Sequence, residues 1–358
     1  MENRFVFHIS IALLLLSAPC LTCPARANSN WNIQTVDSTS DVGRTTSIAI
    51  DKAGQPHISY IDYTKGSLKY AAFNGSTWNI QTVTSTGVSG YNTFTAIALD
   101  AAGQPHISYD NQAREQLNYA DFNGATWDIR TLDSSQQMGS FTSLALDPAG
   151  RPHISYADSK NYDLMYATFN GSKWNIATVD SNGVVGWDSS IALDANQNPH
   201  ICYTGSTNYD LKYAAFDGSK WNVTTVDIPG GIGLQTSIAL DAAGRPHISY
   251  TDYPKGDLRY ATFDGSKWNL QTVDSNGWVG YDSAIALDTA GRPHISYYDA
   301  SDIDLKYAAF NGSTWDIETV DSAGDVGRYT SIALDENQKP HICYLDFANH
   351  NLKYAYPD

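Results

Sequence analysis

Seven segments of the chain each contain an aspartate, a histidine and a serine or cysteine within nine positions. In one of them, Asp241, His247 and Ser249 have the residue types that activate a serine as a nucleophile. Each histidine belongs to the sequence Pro-His-Ile-Ser-Tyr, or to Pro-His-Ile-Cys-Tyr in two copies. The seven histidines are His57, His106, His153, His200, His247, His294 and His341. Catalysis needs one exposed, asymmetric site, so a set repeated seven times is better explained as structural bracing, here by Asp51 with His57 and by Asp241 with His247.

Metal chemistry is disfavoured by the same repetition. Seven histidines held in seven separate modules cannot converge on one ion with tetrahedral geometry, so we expect no zinc site. Loop aspartates offer the hard oxygen ligands that suit Ca²⁺, but each loop has only one or two carboxylates and no dense Asp-x-Asp-x-Asp spacing. We therefore expect no cofactor, with Ca²⁺ as the remaining alternative.

These residues belong to a repeat whose period defines the architecture. Successive histidines are 49 residues apart once and 47 residues apart thereafter, a regularity typical of stacked modules. One module has four runs rich in Ile, Val, Tyr, Phe and Thr, at 237–241, 246–250, 258–263 and 268–273. Gly, Asn, Asp and Pro turns separate the runs, which predicts four strands. Seven modules of four antiparallel strands predict an all-β fold, the seven-bladed β-propeller.

Two features recur where the third run meets the fourth. Asn-Gly or Asp-Gly stands at all six internal junctions, which predicts a tight hairpin turn with positive φ at both residues. A tryptophan then begins the fourth run of each module. The seven are Trp31, Trp78, Trp127, Trp174, Trp221, Trp268 and Trp315. Because each follows a tight turn, we interpret them as packing anchors rather than as sugar-stacking residues.

The two ends of the repeat region predict how the ring closes. Residues 31–36 have a fourth-strand sequence with no module before it, and the chain ends just after a third-strand sequence at 352–355. The N-terminal strand 31–36 should therefore complete the last blade, which removes the open sheet edges that a linear stack would leave. Residues 28–358 then form one domain.

Residues 1–27 have the pattern of a secretory signal peptide. A short charged segment precedes an apolar run at 5–18, and Ala25-Arg26-Ala27 is a small-x-small cleavage sequence. A lipoprotein anchor on Cys20 or Cys23 is the alternative, but the residues before each cysteine fit it poorly. We expect cleavage near Ala27, a secreted or periplasmic location, and no membrane insertion of the mature chain.

The remaining composition limits the partners. Cys202 and Cys343 lie in modules too far apart on a ring for a disulfide, so we expect two buried free thiols. The net charge is −16, from 38 acidic and 22 basic residues. Such a surface repels phosphate backbones and anionic lipid, which argues against nucleic acid and membrane surfaces as partners. We expect a monomer.

The run Ile-Ala-Leu-Asp-x-x-Gly-x-Pro-His-Ile-Ser-Tyr, as at 238–250, resembles the NHL-type and BNR (Asp-box, sialidase-like) propeller repeats of bacterial secreted proteins. The resemblance covers the whole mature chain and implies a propeller. Those families include lyases, sialidases and binding scaffolds, so it implies no single activity. The chain also lacks the Ser-x-Asp-x-Gly-x-x-Trp order of the Asp-box.

Function is expected where the modules differ. The loops from strand four to the next blade, and from strand two to strand three, vary and should lie together at one mouth of the central channel. There an aromatic residue stands beside a carboxylate, as in Trp187-Asp188 and Tyr281-Asp282, a combination that suits a sugar ring. Two adjacent arginines could hold a carboxylate or sulfate. The candidate ligand-binding residues are Arg44, Tyr91, Trp187, Asp188, Trp278, Tyr281, Asp282 and Arg328.

The sequence thus predicts a secreted, non-catalytic propeller that binds a glycan or an extracellular protein through these loops. A sialidase-like glycoside hydrolase or a lyase at the channel mouth is the alternative. It is disfavoured because the mature chain contains only Glu115, Glu318 and Glu336 as glutamates and no paired-carboxylate site is recognisable. We therefore expect no catalytic residues. Drift of surface loops without any ligand is the competing interpretation of the variable positions.

Overall fold

The computed structural model describes residues 30–85, 93–135, 138–207, 210–227 and 233–358. The predicted signal peptide and Tyr91 lie outside these residues. Within them the chain forms 28 strands and no helix. In chain order the strands are β1 (Trp31–Asp37), β2 (Val42–Ile50), β3 (Pro56–Asp62), β4 (Ser67–Phe73), β5 (Trp78–Thr84), β6 (Thr95–Leu99), β7 (Pro105–Asn111), β8 (Gln116–Phe122), β9 (Trp127–Asp133), β10 (Met138–Leu146), β11 (Pro152–Asp158), β12 (Asp163–Phe169), β13 (Trp174–Asp180), β14 (Trp187–Leu193), β15 (Pro199–Gly205), β16 (Asp210–Phe216), β17 (Trp221–Asp227), β18 (Gly233–Leu240), β19 (Pro246–Asp252), β20 (Asp257–Phe263), β21 (Trp268–Asp274), β22 (Tyr281–Leu287), β23 (Pro293–Asp299), β24 (Asp304–Phe310), β25 (Trp315–Asp321), β26 (Val326–Leu334), β27 (Pro340–Asp346) and β28 (Asn351–Pro357).

The strands form seven antiparallel sheets of four, arranged as the blades of a propeller. Blades 1 to 6 are β2–β5, β6–β9, β10–β13, β14–β17, β18–β21 and β22–β25, and blade 7 is β26–β28 completed by β1. Strand β1 pairs with β28, with Trp31 opposite Pro357 and Ile33 opposite Ala355. The predicted fold and the predicted closure of the ring are both confirmed. No helix in the described residues is long and apolar enough to span a membrane.

The core lies between blades. One apolar cluster joins Val36 and Leu352 of blade 7 to Ile48, Ile58 and Tyr60 of blade 1, and six further clusters follow the same plan. Both faces of the two central strands of a blade are covered, which is why Pro152–Asp158 is buried along its whole length. Because both faces are buried, apolar and polar residues do not alternate regularly along these strands.

The turn between the third and fourth strands differs from the sequence expectation. Only the glycine has positive φ, as in Gly75 at 91°. The preceding Asn74 instead uses its side-chain oxygen to accept the N–H groups of Ser76 and Thr77, at 3.0 and 2.9 Å. The prediction that both turn residues have positive φ is therefore wrong, because side-chain capping by asparagine or aspartate closes a longer loop.

The repeated histidine is hydrogen-bonded across strands, but to a tyrosine. In blade 5, His247 Nδ1 lies 2.5 Å from the hydroxyl of Tyr260, whereas its Nε2 lies 3.7 Å from the Asp241 carboxylate. Asp241 instead accepts the N–H groups of Ala243 and Arg245, both at 2.9 Å, and caps the turn. Blade 1 repeats this arrangement, with His57 bonded to Tyr70 at 2.5 Å and Asp51 capping its turn.

The tryptophans pack between blades. Trp78 of blade 1 meets the edge of Tyr354 in blade 7 at 5.4 Å, and its indole N–H donates to Gln34 at 3.1 Å. A second tie joins the same blades, because Tyr60 donates to Asp37 at the end of β1 at 2.7 Å. Cys202 and Cys343 are buried and free, as predicted. Each donates to a hydroxyl of the next blade, as Cys202 does to Thr236 at 3.1 Å.

Candidate functional site

A β-bulge near the start of the inner strand in six of the seven blades, all except blade 2, points one residue toward the central channel. The register shifts between Trp187 and Ser190 in blade 4 and between Tyr281 and Ala284 in blade 6, for example. The bulged residues and their counterpart in blade 2 line a cavity of about 180 Å³ at the channel mouth. We call them the pore ring; they are Thr45, Phe94, Phe141, Asp188, Gln235, Asp282 and Tyr329.

The pore ring has an unusual backbone. Six of its members have φ between 48° and 55° although none is glycine. Left-handed backbone costs an ordinary residue on the order of 1 kcal/mol. Bulges of this kind re-aim side chains and are over-represented beside functional sites. The strain and the orientation therefore favour a role for the side chains that project into the cavity.

The residue that follows each pore-ring member carries a hydroxyl, and four of these seven hydroxyls donate to the pore-ring backbone. These residues are Thr46, Thr95, Thr142, Ser189, Thr236, Ser283 and Thr330. Thr236 donates to the carbonyl oxygen of Asp188 at 2.6 Å, and Ser189 donates to that of Phe141 at 2.9 Å. Each bond runs from one blade to the pore-ring backbone of the blade before it. The ring is consequently braced by inter-blade hydrogen bonds and not by loops alone.

One side of the pore ring is a continuous hydrogen-bonded arc. The N–H of Gln235 donates to Asp188 Oδ2 at 3.0 Å, and the Gln235 Nε2 donates to Asp282 Oδ1 at 2.7 Å. The N–H of Asp282 donates back to Gln235 Oε1 at 2.7 Å, and the N–H of Tyr329 donates to Asp282 Oδ2 at 2.8 Å. Both carboxylates are thus fixed by neutral donors.

Burial changes the acidity of this arc. Desolvation raises the pKa of Asp188 to about 6, against a smaller lowering by the Gln235 N–H. Desolvation also raises the pKa of Asp282, although the Tyr329 N–H and the charge of Arg328 oppose it. The pKa of the Tyr329 phenol is raised by burial and by Asp282. Each of these groups is therefore harder to ionise than the same group in water.

Aromatic rings form another part of the mouth. Phe94 and Phe141 lie 4.4 Å apart between ring centres, and Trp187 stacks on Phe141 at 5.8 Å with 23° between the planes. Trp187 is 36% exposed. Aromatic faces thus run across blades 2 to 4 from the pore ring to the surface.

A second group of aromatic rings lies outside the pore, between blades 5 and 6. Trp278 stacks on Tyr281 at 6.5 Å with 18° between the planes, and Tyr253 meets Trp278 edge-on at 6.2 Å. Trp278 is 48% exposed and Tyr253 is 43% exposed. We call these three residues the outer aromatic cluster. Exposed, stacked rings of this kind are uncommon on a surface without a ligand.

The two candidate arginines are already paired. Arg44 makes two bonds to Asp41, at 3.3 and 2.9 Å, and lies 4.3 Å above the ring of Tyr63. Arg328 makes the equivalent bonds to Asp325 at 3.1 and 2.9 Å. In both cases the partner aspartate raises the arginine pKa against the opposing effect of burial. Each positive charge is therefore balanced within its own loop, which weakens the expectation that the pair holds an anion.

The structure brings most of the predicted residues to one mouth but gives them different roles. Asp188 and Asp282 belong to the pore ring, and Trp187 and Tyr281 precede them on the rim. Phe94, Phe141, Gln235, Tyr329 and Tyr253 were not predicted from the sequence. Four of these hold the pore-ring position, which in every blade except blade 2 is the second residue after the recurrent glycine. The signal in the sequence therefore lies one position beyond the variable residue that directly follows that glycine. Among the described residues, no group of three or more His, Cys, Asp or Glu side chains is placed to hold a metal ion.

No family model matches the chain, and no curated protein matches it. Among solved structures, it is similar to a mutant of the Aleuria aurantia lectin in complex with Fucα1-6GlcNAc, at 16% identity and a TM-score of 0.55, over 78% of this chain and 96% of the lectin. It is also similar to an inactive virginiamycin B lyase from Staphylococcus aureus, at 10% identity and a TM-score of 0.62, over 92% and 100%. An ulvan lyase gives 14% identity and a TM-score of 0.62, over 90% and 95%. At these identities the likeness shows the fold alone, and this chain is a seven-bladed β-propeller repeat protein.

Proposed function

We propose that the chain is a secreted propeller that binds a glycan at the pore ring and its aromatic rim, without acting on it chemically. The observation that carries the proposal is the cavity itself, in which Phe94 and Phe141 share one space with the hydrogen-bonded arc of Asp188, Gln235 and Asp282. A sugar ring has apolar C–H faces and hydroxyl donors. Apolar rings together with a few fixed polar groups are the usual lining of a small-molecule site.

The size of the cavity sets the scale of the ligand. At about 180 Å³ it is smaller than the roughly 300–1,000 Å³ of pockets for drug-sized molecules. One sugar ring is the appropriate occupant, and the outer aromatic cluster is available to a neighbouring sugar. Solved neighbours with this fold include a lectin in complex with a fucosylated disaccharide and an ulvan lyase. Their ligands support a carbohydrate as the ligand class without identifying it.

Secretion, the NHL-type or BNR-type kinship of the repeats and a bacterial source are part of the same proposal. A glycan-binding protein with an acidic surface suits an extracellular or periplasmic site. An extracellular protein is the alternative partner. It would use the same variable loops, and the breadth of the outer aromatic cluster is the feature that favours it.

A second candidate function is glycoside hydrolysis or elimination at the same mouth. The observation in its favour is that two aspartates from blades 4 and 6 face one cavity, a pairing that the sequence did not reveal. A carboxyl group with a pKa near 6 suits a general acid. We rank binding first because Asp188 and Asp282 are both tied into the arc that shapes the pore.

A glycan array probed with the mature protein tests the proposal. Binding should be lost in a Trp187→Ala, Tyr281→Ala double variant. Val223→Ala is the matched control, since Val223 is 39% exposed on the outer strand of blade 4. Absence of binding to every glycan would refute the proposal. Cleavage of a bound glycan, abolished in Asp188→Asn, would establish the enzymatic alternative.

A further inference from the structure

The pore ring carries negative charge without a matching positive charge. Asp188 and Asp282 are its only carboxylic acids, and none of its seven members is basic. The nearest arginines are rim residues, and Arg44 and Arg328 are each paired with an aspartate of their own loop. A ligand entering the pore therefore meets two carboxylates, of which Asp282 is near the charge of Arg328 and Asp188 is near no positive charge among the described residues.

Asp188 also has an unused hydrogen-bond acceptor. Its Oδ2 accepts the N–H of Gln235 at 3.0 Å, whereas its Oδ1 accepts no hydrogen bond from the described part of the chain. The carboxylate lines the cavity and reaches solvent only in part. Burying an ionised carboxylate without a donor is costly. A positively charged donor in the cavity would remove that cost.

The aromatic members of the ring favour the same kind of group. Phe94, Phe141 and Tyr329 line the cavity together with the two aspartates. Aromatic faces attract ammonium groups, by about 0.5–2 kcal/mol according to exposure. The net charge of −16 on the whole chain also raises the local concentration of cations. The acids, the aromatic rings and the overall charge thus all favour a positively charged group in the cavity.

From this combination we infer that the pore ring binds the protonated primary amine of an amino sugar. The ammonium group has three N–H donors, and Asp188 Oδ1 is the acceptor available to it. The sugar ring would then lie against the aromatic wall of Phe141 and Trp187. This inference rests on the proposed function, because a glycan must carry the amine.

The test compares two ligands that differ only at nitrogen. Isothermal titration of the mature protein at neutral pH would use a chitin tetrasaccharide, in which every amine is acetylated, and the fully de-N-acetylated tetrasaccharide. We expect the free amine to bind at least about tenfold more tightly, the size of one hydrogen bond to a charged group. Asp188→Asn should abolish that preference.

Asp316→Asn is the matched control, because it removes the same charge from an exposed outer-strand position. It should leave the preference unchanged, and thermal unfolding should show that both variants are folded. Equal affinity for the two tetrasaccharides, or a preference that survives Asp188→Asn, would overturn this inference and leave glycan binding standing. Failure of both tetrasaccharides and of every array glycan would overturn the proposed function as well.

Discussion

Gln235 and Asp282 form a reciprocal pair across two blades. The side-chain amide of Gln235 donates to Asp282 Oδ1 and accepts the backbone N–H of Asp282, both at 2.7 Å. One glutamine therefore fixes both the carboxylate and the strained backbone of the neighbouring pore-ring residue. Its own N–H binds Asp188 on the other side. Gln235 is consequently the centre of the arc that shapes the cavity.

We expect Gln235→Ala to weaken both the fold and ligand binding. The change leaves the Asp282 N–H and Oδ1 without their partner, which should cost about 1–3 kcal/mol of unfolding free energy. Glycan affinity should fall because the carboxylates lose their fixed positions. Urea unfolding and titration calorimetry measure the two effects. Val223→Ala, on the exposed outer strand of blade 4, is the control. Wild-type behaviour of Gln235→Ala would contradict the role assigned to the arc.

The hydrogen bond from a tyrosine of one blade to an aspartate of the blade before it should contribute more stability where a buried lysine also contacts the aspartate. Burial alone would raise the pKa of Asp37, but hydrogen bonds from Lys69, Tyr60 and Thr39 lower it to about 2. Asp37→Ala would leave the buried Lys69 ammonium without its ion-pair partner, and we expect a loss of about 3–5 kcal/mol in the free energy of unfolding. Chemical denaturation would measure it.

Blade 3 supplies the matched comparison. Asp133 accepts the hydroxyl of Tyr156 at 2.9 Å, but the position equivalent to Lys69 is Met165. Asp133→Ala should therefore cost only about 1–2 kcal/mol. Equal losses for the two variants would show that the buried ammonium contributes nothing to the difference.

The repeated histidine should affect stability and leave binding unchanged. Tyr260→Phe removes the hydroxyl that bonds His247 Nδ1 in blade 5, and an unsatisfied buried group costs about 1–3 kcal/mol. His247→Ala should be at least as destabilising. Glycan affinity should stay at the wild-type value in both, since neither residue lines the pore. A variant that keeps its melting temperature but loses affinity would reverse this assignment.

The raised pKa of Asp188 predicts a specific pH dependence. Its folded-state pKa of about 6 lies above the ordinary aspartate value of 3.8, so the folded state binds the proton more tightly than the unfolded state. Ionised Asp188 therefore destabilises the fold. This destabilisation grows as pH rises from about 4 to 6 and is fully present above pH 6. Asp188→Asn should stabilise the fold more at pH 8 than at pH 4.5, by on the order of 2 kcal/mol.

The comparison with the variant is essential, because the histidines act in the opposite direction. Burial lowers the pKa of His247 and of its equivalents in the blades for which a shift is resolved. The whole protein therefore loses stability as pH falls below the unfolded histidine pKa. Subtracting the Asp188→Asn curve removes this shared contribution. If Asp188→Asn changed the free energy of unfolding by the same amount at pH 4.5 and at pH 8, the burial of Asp188 would be contradicted.

The blade number, the strand order and the closure of the ring were predictable because each depends on patterns that repeat seven times. Period and turn residues define the modules, and the displaced fourth strand at the N-terminus identifies the closing pair. The hydrogen-bond partner of His247 was not predictable in this way. Tyr260 lies 13 residues away, and only strand register brings the two side chains together.

The pore ring was less accessible to sequence reasoning for a physical reason. A bulge moves one residue out of alternation, so counting inward and outward positions assigns Gln235 and Tyr329 to no particular face. The sequence shows an aspartate three residues before each arginine, Asp41 before Arg44 and Asp325 before Arg328. It does not show that each aspartate accepts two hydrogen bonds from its arginine. Trp278 was predicted as a candidate ligand-binding residue, whereas its stacking on Tyr281 depends on the three-dimensional structure.

The pairing of β1 with β28 has a consequence for how the protein reaches its native state. Asp358 donates its N–H to the carbonyl of Asn30 at 3.0 Å, so residues at opposite ends of the described chain must meet before blade 7 is complete. Among the described strands, β1 is synthesised before all the others and β28 after them. Blades 1 to 6 can form before β1, which contains Trp31, has a strand to pair with. We therefore expect folding to finish in one late, slow step, since contacts of such long sequence separation form slowly, and the pore ring to acquire its final shape only then.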